Sequence, residues 1–296
     1  MTAQRRMAER TELRVDEWEP TRRTLHMWLQ IVGKIRMINA DPVNHWWHVT
    51  LHVSPRGLTT GPVVDAAGVF EIEFDLLHDV LVVRRQDGRS ESIALADTTV
   101  ADFYAALLAI CARLDIDARI HAAPNKVDRA IPFADDTIHH VYDPDHARAF
   151  WRQLVDVQRG LSAYRGGFRG KSSPVHFFWG AMDLAVTRFS GRPAPAHPGG
   201  VPNCPDSVMV ESYSAELASA GFWPGAGEEG AYYAYRYPDR PGYRDAPVPP
   251  GAYWDDTLRE FILPYETVRR SSDPDALVKQ FLTATFDAAQ GDDRWG

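Results

Sequence analysis

The sequence predicts an α+β chain made of two tandem, related α-β(3-4)-α repeats, each with a mainly antiparallel sheet flanked by helices. Three observations carry that prediction. Apolar residues recur at three- and four-residue steps in four separate segments, which is the period of an amphipathic helix. Between those segments the period drops to two, which marks half-buried strands. The order helix, strands, helix then occurs twice, with local echoes: Trp28-Leu-Gln30 matches Trp151-Arg-Gln153, and Pro42-Val-Asn-His45-Trp46-Trp47 matches Pro174-Val-His176-Phe177-Phe178.

The first helix is expected from Thr21 to Met37, where Leu25, Trp28, Leu29, Val32 and Ile35 make one stripe. From His45 to Val53, Trp47, Val49, Leu51 and Val53 alternate with Trp46, His48, Thr50 and His52, so a strand is predicted. A loop follows at Ser54–Gly57. Phe70, Ile72, Phe74 and Leu76 alternate with Glu71, Glu73 and Asp75, and His78-Asp79 turns the chain into another strand at Val80–Arg85. Asp87-Gly88 predicts a type I′ hairpin, because both central residues of that turn need positive φ. Arg89–Leu95 completes the meander, and Asp97-Thr98-Thr99 offer N-cap oxygens to a helix striped by Val100, Phe103, Tyr104, Leu107, Leu108, Cys111 and Leu114. A short strand is expected at Ala118–His121. The first repeat therefore covers 19–121, a linker 122–142 and the second repeat 143–290.

In the second repeat Asp143-Pro144 supplies an N-cap and a first-turn proline. The helix buries Phe150, Trp151, Leu154, Val157, Leu161 and Tyr164 and stops at Gly166-Gly167. Strands are expected at Pro174–Trp179, Ala181–Phe189, Val208–Glu216, Ala231–Tyr237 and Phe261–Leu263, with a Pro/Gly loop at Gly191–Pro205. Asp273-Pro274 opens a last helix carrying Leu277, Phe281, Leu282 and Phe286. Duplicated halves make the interface between them the default place for a pocket.

With 45% hydrophobic and 24% charged residues the 296-residue chain is of ordinary globular composition. No apolar run is long enough to span a bilayer. Residues 1–18 mix Arg5, Arg6 and Arg10 with Glu9, Glu12, Asp16 and Glu17 and hold no apolar stretch. That pattern predicts a frayed terminus, neither a secretory signal nor a transit peptide. A net charge of −8 opposes a phosphate-neutralising surface, so neither nucleic acid nor membrane is an expected partner. Cys111 falls in an apolar helical pattern and Cys204 in Pro202-Asn-Cys-Pro205; two thiols in such different settings fit a reducing cytoplasm.

The segments Thr24-Leu-His-Met-Trp-Leu-Gln-Ile-Val-Gly-Lys34, Asn44-His-Trp-Trp-His48, Ser173-Pro-Val-His-Phe-Phe-Trp-Gly180, Asp183-Leu-Ala-Val-Thr-Arg-Phe-Ser-Gly-Arg192 and Ala220-Gly-Phe-Trp-Pro-Gly225 are long, aromatic-rich and specific. On them the chain resembles a bacterial domain of unknown function (number five-nine-nine-six), from about Thr21 to Ala288. The resemblance implies no activity, cofactor or catalytic residue.

The sequence holds no G-x-S-x-G elbow, P-loop, H-E-x-x-H, C-x-x-C or dinucleotide fingerprint. In a strand His48 and His52 point the same way but stand about 13 Å apart, too far to share an ion bound at about 2 Å. No metal site is expected. His176 lies among Val175, Phe177, Phe178 and Trp179, where an unpaired polar ring is costly to bury. Asp183 and Arg188 lie in the same kind of apolar run and are either paired with each other or poised for work. Strand parity sets His176 and Asp183 on opposite faces unless Gly180 breaks the strand. Glu211 and Tyr213 share a predicted strand face below Phe222-Trp223, an arrangement suited to acid–base work on a small molecule; a solvated strand edge has the same pattern. Tyr164–Lys171 mixes Arg165, Arg169 and Lys171 with glycines, as an anion loop does and as a helix C-terminus does.

The leading expectation is therefore a small-molecule binder or enzyme with a pocket between the repeats. Its catalytic candidates are His176, Asp183, Glu211 and Tyr213, and its ligand-binding candidates are Arg188, Trp179, Trp223 and Glu216. No cofactor is named by these residues. The alternative is a non-catalytic interaction or scaffold protein, whose aromatics are core and whose sheets pair with a partner.

Overall fold

The computed structural model describes residues 10–295. It is α+β, with two antiparallel sheets of six strands each among the described residues. The first half runs α1 (Val15–Asn39), a 3-10 segment (Asn44–Val49), β1 (His52–Val53), β2 (Gly57–Thr59), β3 (Val63–Asp65), β4 (Gly68–Asp75), β5 (Val80–Arg85), β6 (Ser90–Ala94) and α2 (Val100–Arg113). The second runs α3 (Pro144–Gly166), β7 (His176–Phe178), β8 (Asp183–Pro193), α4 (Asp206–Ser212), β9 (Ala215–Trp223), β10 (Ala231–Tyr237), β11 (Tyr253–Asp255), β12 (Glu260–Pro264), α5 (Tyr265–Arg270) and α6 (Pro274–Gln290).

The first sheet is ordered β1-β2-β4-β5-β6, and β3 lies beyond β2 along the same edge of β4. The second is ordered β11-β12-β10-β9-β8-β7. Leu51, just before β1, exchanges two backbone hydrogen bonds with Phe177 of β7 (2.9 and 2.8 Å), so the sheets touch edge to edge. The α1 stripe of Leu25, Trp28, Leu29, Val32 and Ile35 is fully buried. Trp28 stacks on Phe103 of α2 at 4.7 Å and Trp18 on Phe150 of α3 at 5.1 Å. One continuous apolar cluster includes residues of both halves. No described helix is long and apolar enough to cross a membrane.

The predicted caps form. Thr99 accepts from the Asp102 N–H, Asp143 from those of Asp145 and His146, and Asp273 from that of Ala276. Six expectations need correction. The sheets have six strands, not three or four, because pairs as short as His52–Val53 carry no periodic signal. Asn44–Val49 is a 3-10 segment, not a strand: His45 and Trp46 take left-handed φ of 59° and 60°, which breaks the alternation of faces. At Asp87-Gly88 only Gly88 has positive φ (92°), and Arg85 N–H bonds Arg89 O. The loop is thus one residue longer than a type I′ turn and ends in a left-handed glycine. Val208–Ser212 is helical, and the strand of that region starts at Ala215. Ala118–His121 forms no strand. Of the frayed segment expected at 1–18, residues 1–9 lie outside the described residues. Arg10 is buried, donating to Asp275 Oδ1 (2.7 Å), and α1 starts at Val15 because Trp18 is drawn into the core.

Candidate functional site

Strand alternation builds the floor of a cavity of about 680 Å³ on one face of the second sheet. β8 contributes Asp183, Ala185, Thr187 and Phe189, β9 Leu217 and Ser219, and β10 Tyr233 and Tyr235. The register aligns Ala185 with Gly221 and Gly221 with Tyr233, then Thr187 with Ser219 and Ser219 with Tyr235. A Cβ at position 221 would stand 2.5 Å from Tyr233 Cζ and 2.6 Å from Leu184 O. Glycine there leaves room for the Tyr233 ring to lie across β9, where its hydroxyl donates to Asp183 Oδ2 at 2.6 Å.

The walls come from farther along the chain. Val208, Met209 and Ser212 of α4 close one side; Trp46 and Trp47 of the 3-10 segment, Trp179, Asn125, Lys126 and Lys34 of α1 close the others. Trp179 fits against α1 because residue 33 is glycine, whose Cβ position would fall within the indole ring. Its N–H donates to Val49 O at 2.7 Å. Trp46 has its indole N–H buried without an acceptor among the described residues.

Two polar ends stand apart in this aromatic hollow. At one, burial holds the Asp183 carboxyl above the usual carboxylate range, opposed by the charge of Lys126. Tyr233 is its one side-chain hydrogen-bond partner among the described residues. Burial, followed by the charges of Asp183 and Asp255, also pushes Glu260 up to about 7. Burial raises Tyr233 and Tyr235 well above the ordinary phenol value and Tyr213 to about 12, so all three stay protonated donors. The Tyr213 and Tyr235 hydroxyls share a hydrogen bond at 2.8 Å, and those of Thr187 and Ser219 one at 3.0 Å.

At the other end His45 stacks on Phe189 at 4.6 Å. Lys171 Nζ lies 2.8 Å from His45 Nε2 and can only donate. The ring proton therefore sits on Nδ1 and is donated to Ser212 O at 3.2 Å. Burial and the Lys171 charge hold this imidazole below its ordinary range. Successive left-handed residues at His45 and Trp46 cost of order 1–2 kcal/mol each, and such strain concentrates at functional sites.

Of the residues named from sequence, Asp183, Tyr213 and Trp179 line the cavity. His176 reaches the same face as Asp183, because the turn at Gly180–Met182 pairs Phe178 with Asp183 and His176 with Ala185. Its ring is nevertheless buried at the β7 edge of that face, 4.7 Å from the Phe178 ring and 6.2 Å from that of Trp47, and does not line the cavity. Thr50 gives its one proton to Trp47 O, so its oxygen accepts from His176 Nδ1 at 3.2 Å. Burial holds His176 at about 3 and neutral. Arg188 points to the opposite face of β8, its guanidinium 3.4 Å from the Tyr164 ring and 4.3 Å from that of Phe286. No Asp183–Arg188 pair forms, since five residues of strand separate faces. Glu216 is buried in ion pairs with Arg236 and Arg192. Glu211 is exposed on α4 and accepts from the His45 N–H at 3.1 Å. Trp223 is 38% exposed at the end of β9, outside the cavity.

Tyr233, Tyr235, Thr187, Ser219, Lys34 and His45 line the cavity and are not among the catalytic or ligand-binding candidates that the sequence offers. The alternation Tyr233-Ala-Tyr235-Arg-Tyr237 was a usable signal for three phenols on one face, and a lysine between Val32 and Ile35 was a usable signal for a buried cation.

No curated protein and no solved structure was found to match the chain. A family model does match it, over residues 11–296, and by that match the chain belongs to the family of unknown function DUF5996.

Proposed function

We propose that this chain is a cytoplasmic small-molecule-binding protein whose ligand occupies the aromatic cavity, with Asp183 and Tyr233 as the pair that fixes the ligand's polar end and can exchange a proton with it. One observation carries the reading: a carboxyl group with a single side-chain hydrogen bond among the described residues faces an otherwise mostly apolar hollow of about 680 Å³. That volume lies inside the range of drug-sized ligand sites, and a few polar groups converging in an apolar concavity is their usual composition. A carboxyl raised by burial is also the kind of group that accepts or gives a proton near neutral pH. Two free thiols, Cys111 and Cys204, are consistent with the cytoplasm. The helix–strands–helix order of both halves supports a common origin.

The test is native mass spectrometry of the protein purified from its own cells, beside an Ala185→Trp variant. Ala185 is buried in the cavity floor, and an indole there fills the hollow. Wild type is expected to retain a small molecule that is released on denaturation, and the variant to carry none. An apo mass for wild type, together with equal uptake of an apolar fluorescent dye by both proteins, defeats the reading.

A further inference from the structure

Buried cations in this protein are nearly all accounted for. Arg10 pairs with Asp275, Arg85 with Asp65 and Arg236 with Glu216. Arg188 has no carboxylate pair among the described residues, but it is caged by Tyr164, Phe168 and Phe286 and donates to the Tyr164 carbonyl. Lys34 is different. It is 2% exposed, set in α1 between fully buried neighbours, and it lines the cavity wall. Among the described residues its ammonium makes one hydrogen bond, to Asn125 Oδ1, although an ammonium has three donors. The Trp179 ring lies 5.8 Å away, and no carboxylate pairs with Lys34 among the described residues. A buried charge without a partner is costly, and nothing in the packing of α1 requires a cation here, since a methionine would fill the same space.

We propose that the ligand of this cavity is an anion carrying one carboxylate, whose charge is met by Lys34 while its apolar body lies along Trp179 and the tyrosines of β10. This deepens the binding function proposed above and rests on it. The charge count selects the class. Lys126, the other lysine of the lining, is exposed, so water screens its charge, and Lys34 is the buried cation of the lining. One uncompensated positive charge remains, which a monocarboxylate neutralises and a doubly charged phosphate ester over-fills. Asn125 is the residue that holds Lys34 in place. The Asn125 N–H donates to Gln30 Oε1 at 2.7 Å, so the linker is anchored to the helix that bears the lysine. Burial draws Lys34 down to about 8, and it stays largely protonated at neutral pH.

Two probes of one shape separate charge from fit: 1-naphthylacetate and 1-naphthylacetamide, titrated calorimetrically into the full chain at pH 7. Wild type is expected to bind the acid at least about tenfold more tightly than the amide, the least that one charge-assisted hydrogen bond contributes. Lys34→Met should abolish that preference by weakening the acid alone. In wild type, acid binding should fade above about pH 8 while amide binding stays level. Removing an unpartnered buried charge should also leave the unliganded Lys34→Met protein with a thermal midpoint at or above wild type. Equal affinity of wild type for acid and amide, or a preference that survives Lys34→Met, overturns the charge assignment alone. Failure of both probes to bind wild type overturns it together with the cavity's function. If Lys34→Met does not fold, the wild-type comparison and its pH dependence still decide the matter.

Discussion

Gly221 decides whether Tyr233 and Asp183 can meet. With a methyl group there, the Tyr233 ring or the Leu184 carbonyl must move. Gly221→Ala is expected to cost about 1–3 kcal/mol, the usual range for overpacking, and more than Tyr233→Phe, which removes one hydrogen bond of about 1–2 kcal/mol. Urea midpoints of the two variants check the order. Asp183 should behave in the opposite sense. Its folded pKa lies above the unfolded value, so the unfolded chain gains by ionising, and stability drains away as pH rises past the usual carboxylate range. Asp183→Asn retains an acceptor for the Tyr233 hydroxyl and escapes that penalty. Thermal midpoints at pH 4 and pH 7 should show Asn gaining on Asp at the higher pH; a variant that loses ground at pH 7 assigns Asp183 a purely structural role.

Among the elements, the helices obey local rules and the cavity-forming segments do not. Asp143 caps α3 through the N–H groups of Asp145 (2.8 Å) and His146 (3.1 Å). Its replacement by alanine should cost about 1 kcal/mol, read from a chemical denaturation curve with unchanged slope. Such caps were legible because they need only two to four neighbouring residues. So was β4, where Phe70, Ile72 and Phe74 alternate with Glu71, Glu73 and Asp75. The 3-10 segment Asn44–Val49 was not legible: its alternating sequence reads as a strand. Its left-handed His45 is held by partners distant in the chain, Glu211, Ser212, Lys171 and Phe189. The α4 helix is not legible either, since seven residues are too few for a helical period to outweigh Val208 and Val210.

The molecule as a whole is tuned for neutral pH by buried imidazoles. Burial holds His26 and His52 at about 4 and His176 at about 3. All three lie below the unfolded value near 6.5, so the stability they contribute is intact above that pH. It is lost as pH falls toward 3–4, because the unfolded state then binds more protons. Fully buried His176 contributes up to about 1.4 kcal/mol per pH unit over that window, and half-buried His26 and His52 less, because solvent screens them. A stability profile from pH 7 to pH 4 should fall steadily, and His176→Asn should flatten part of the slope. The shared core and the Leu51–Phe177 junction also predict joint unfolding of the two sheets. Phe177→Ala, at a fully buried site, should cost about 3–5 kcal/mol. It should shift one cooperative transition, not split it into two.

Residue order was enough to establish the α+β class, the helix stripes, the caps, most strands of the meander and the family. Each follows from interactions between near neighbours in the chain, whose geometry recurs at every copy of the pattern. Asp183, Tyr213 and Trp179 were also within reach, as polar or bulky groups in strand-like runs. Their convergence with Tyr233, His45 and Lys34 required the folded chain. Which face a strand turns inward depends on the turn at Gly180–Met182, on a glycine two strands away and on a wall contributed by α1. Contacts between residues up to about two hundred positions apart have no period to read. Burial, which sets the charge state of every group in the cavity, exists only once those contacts have closed.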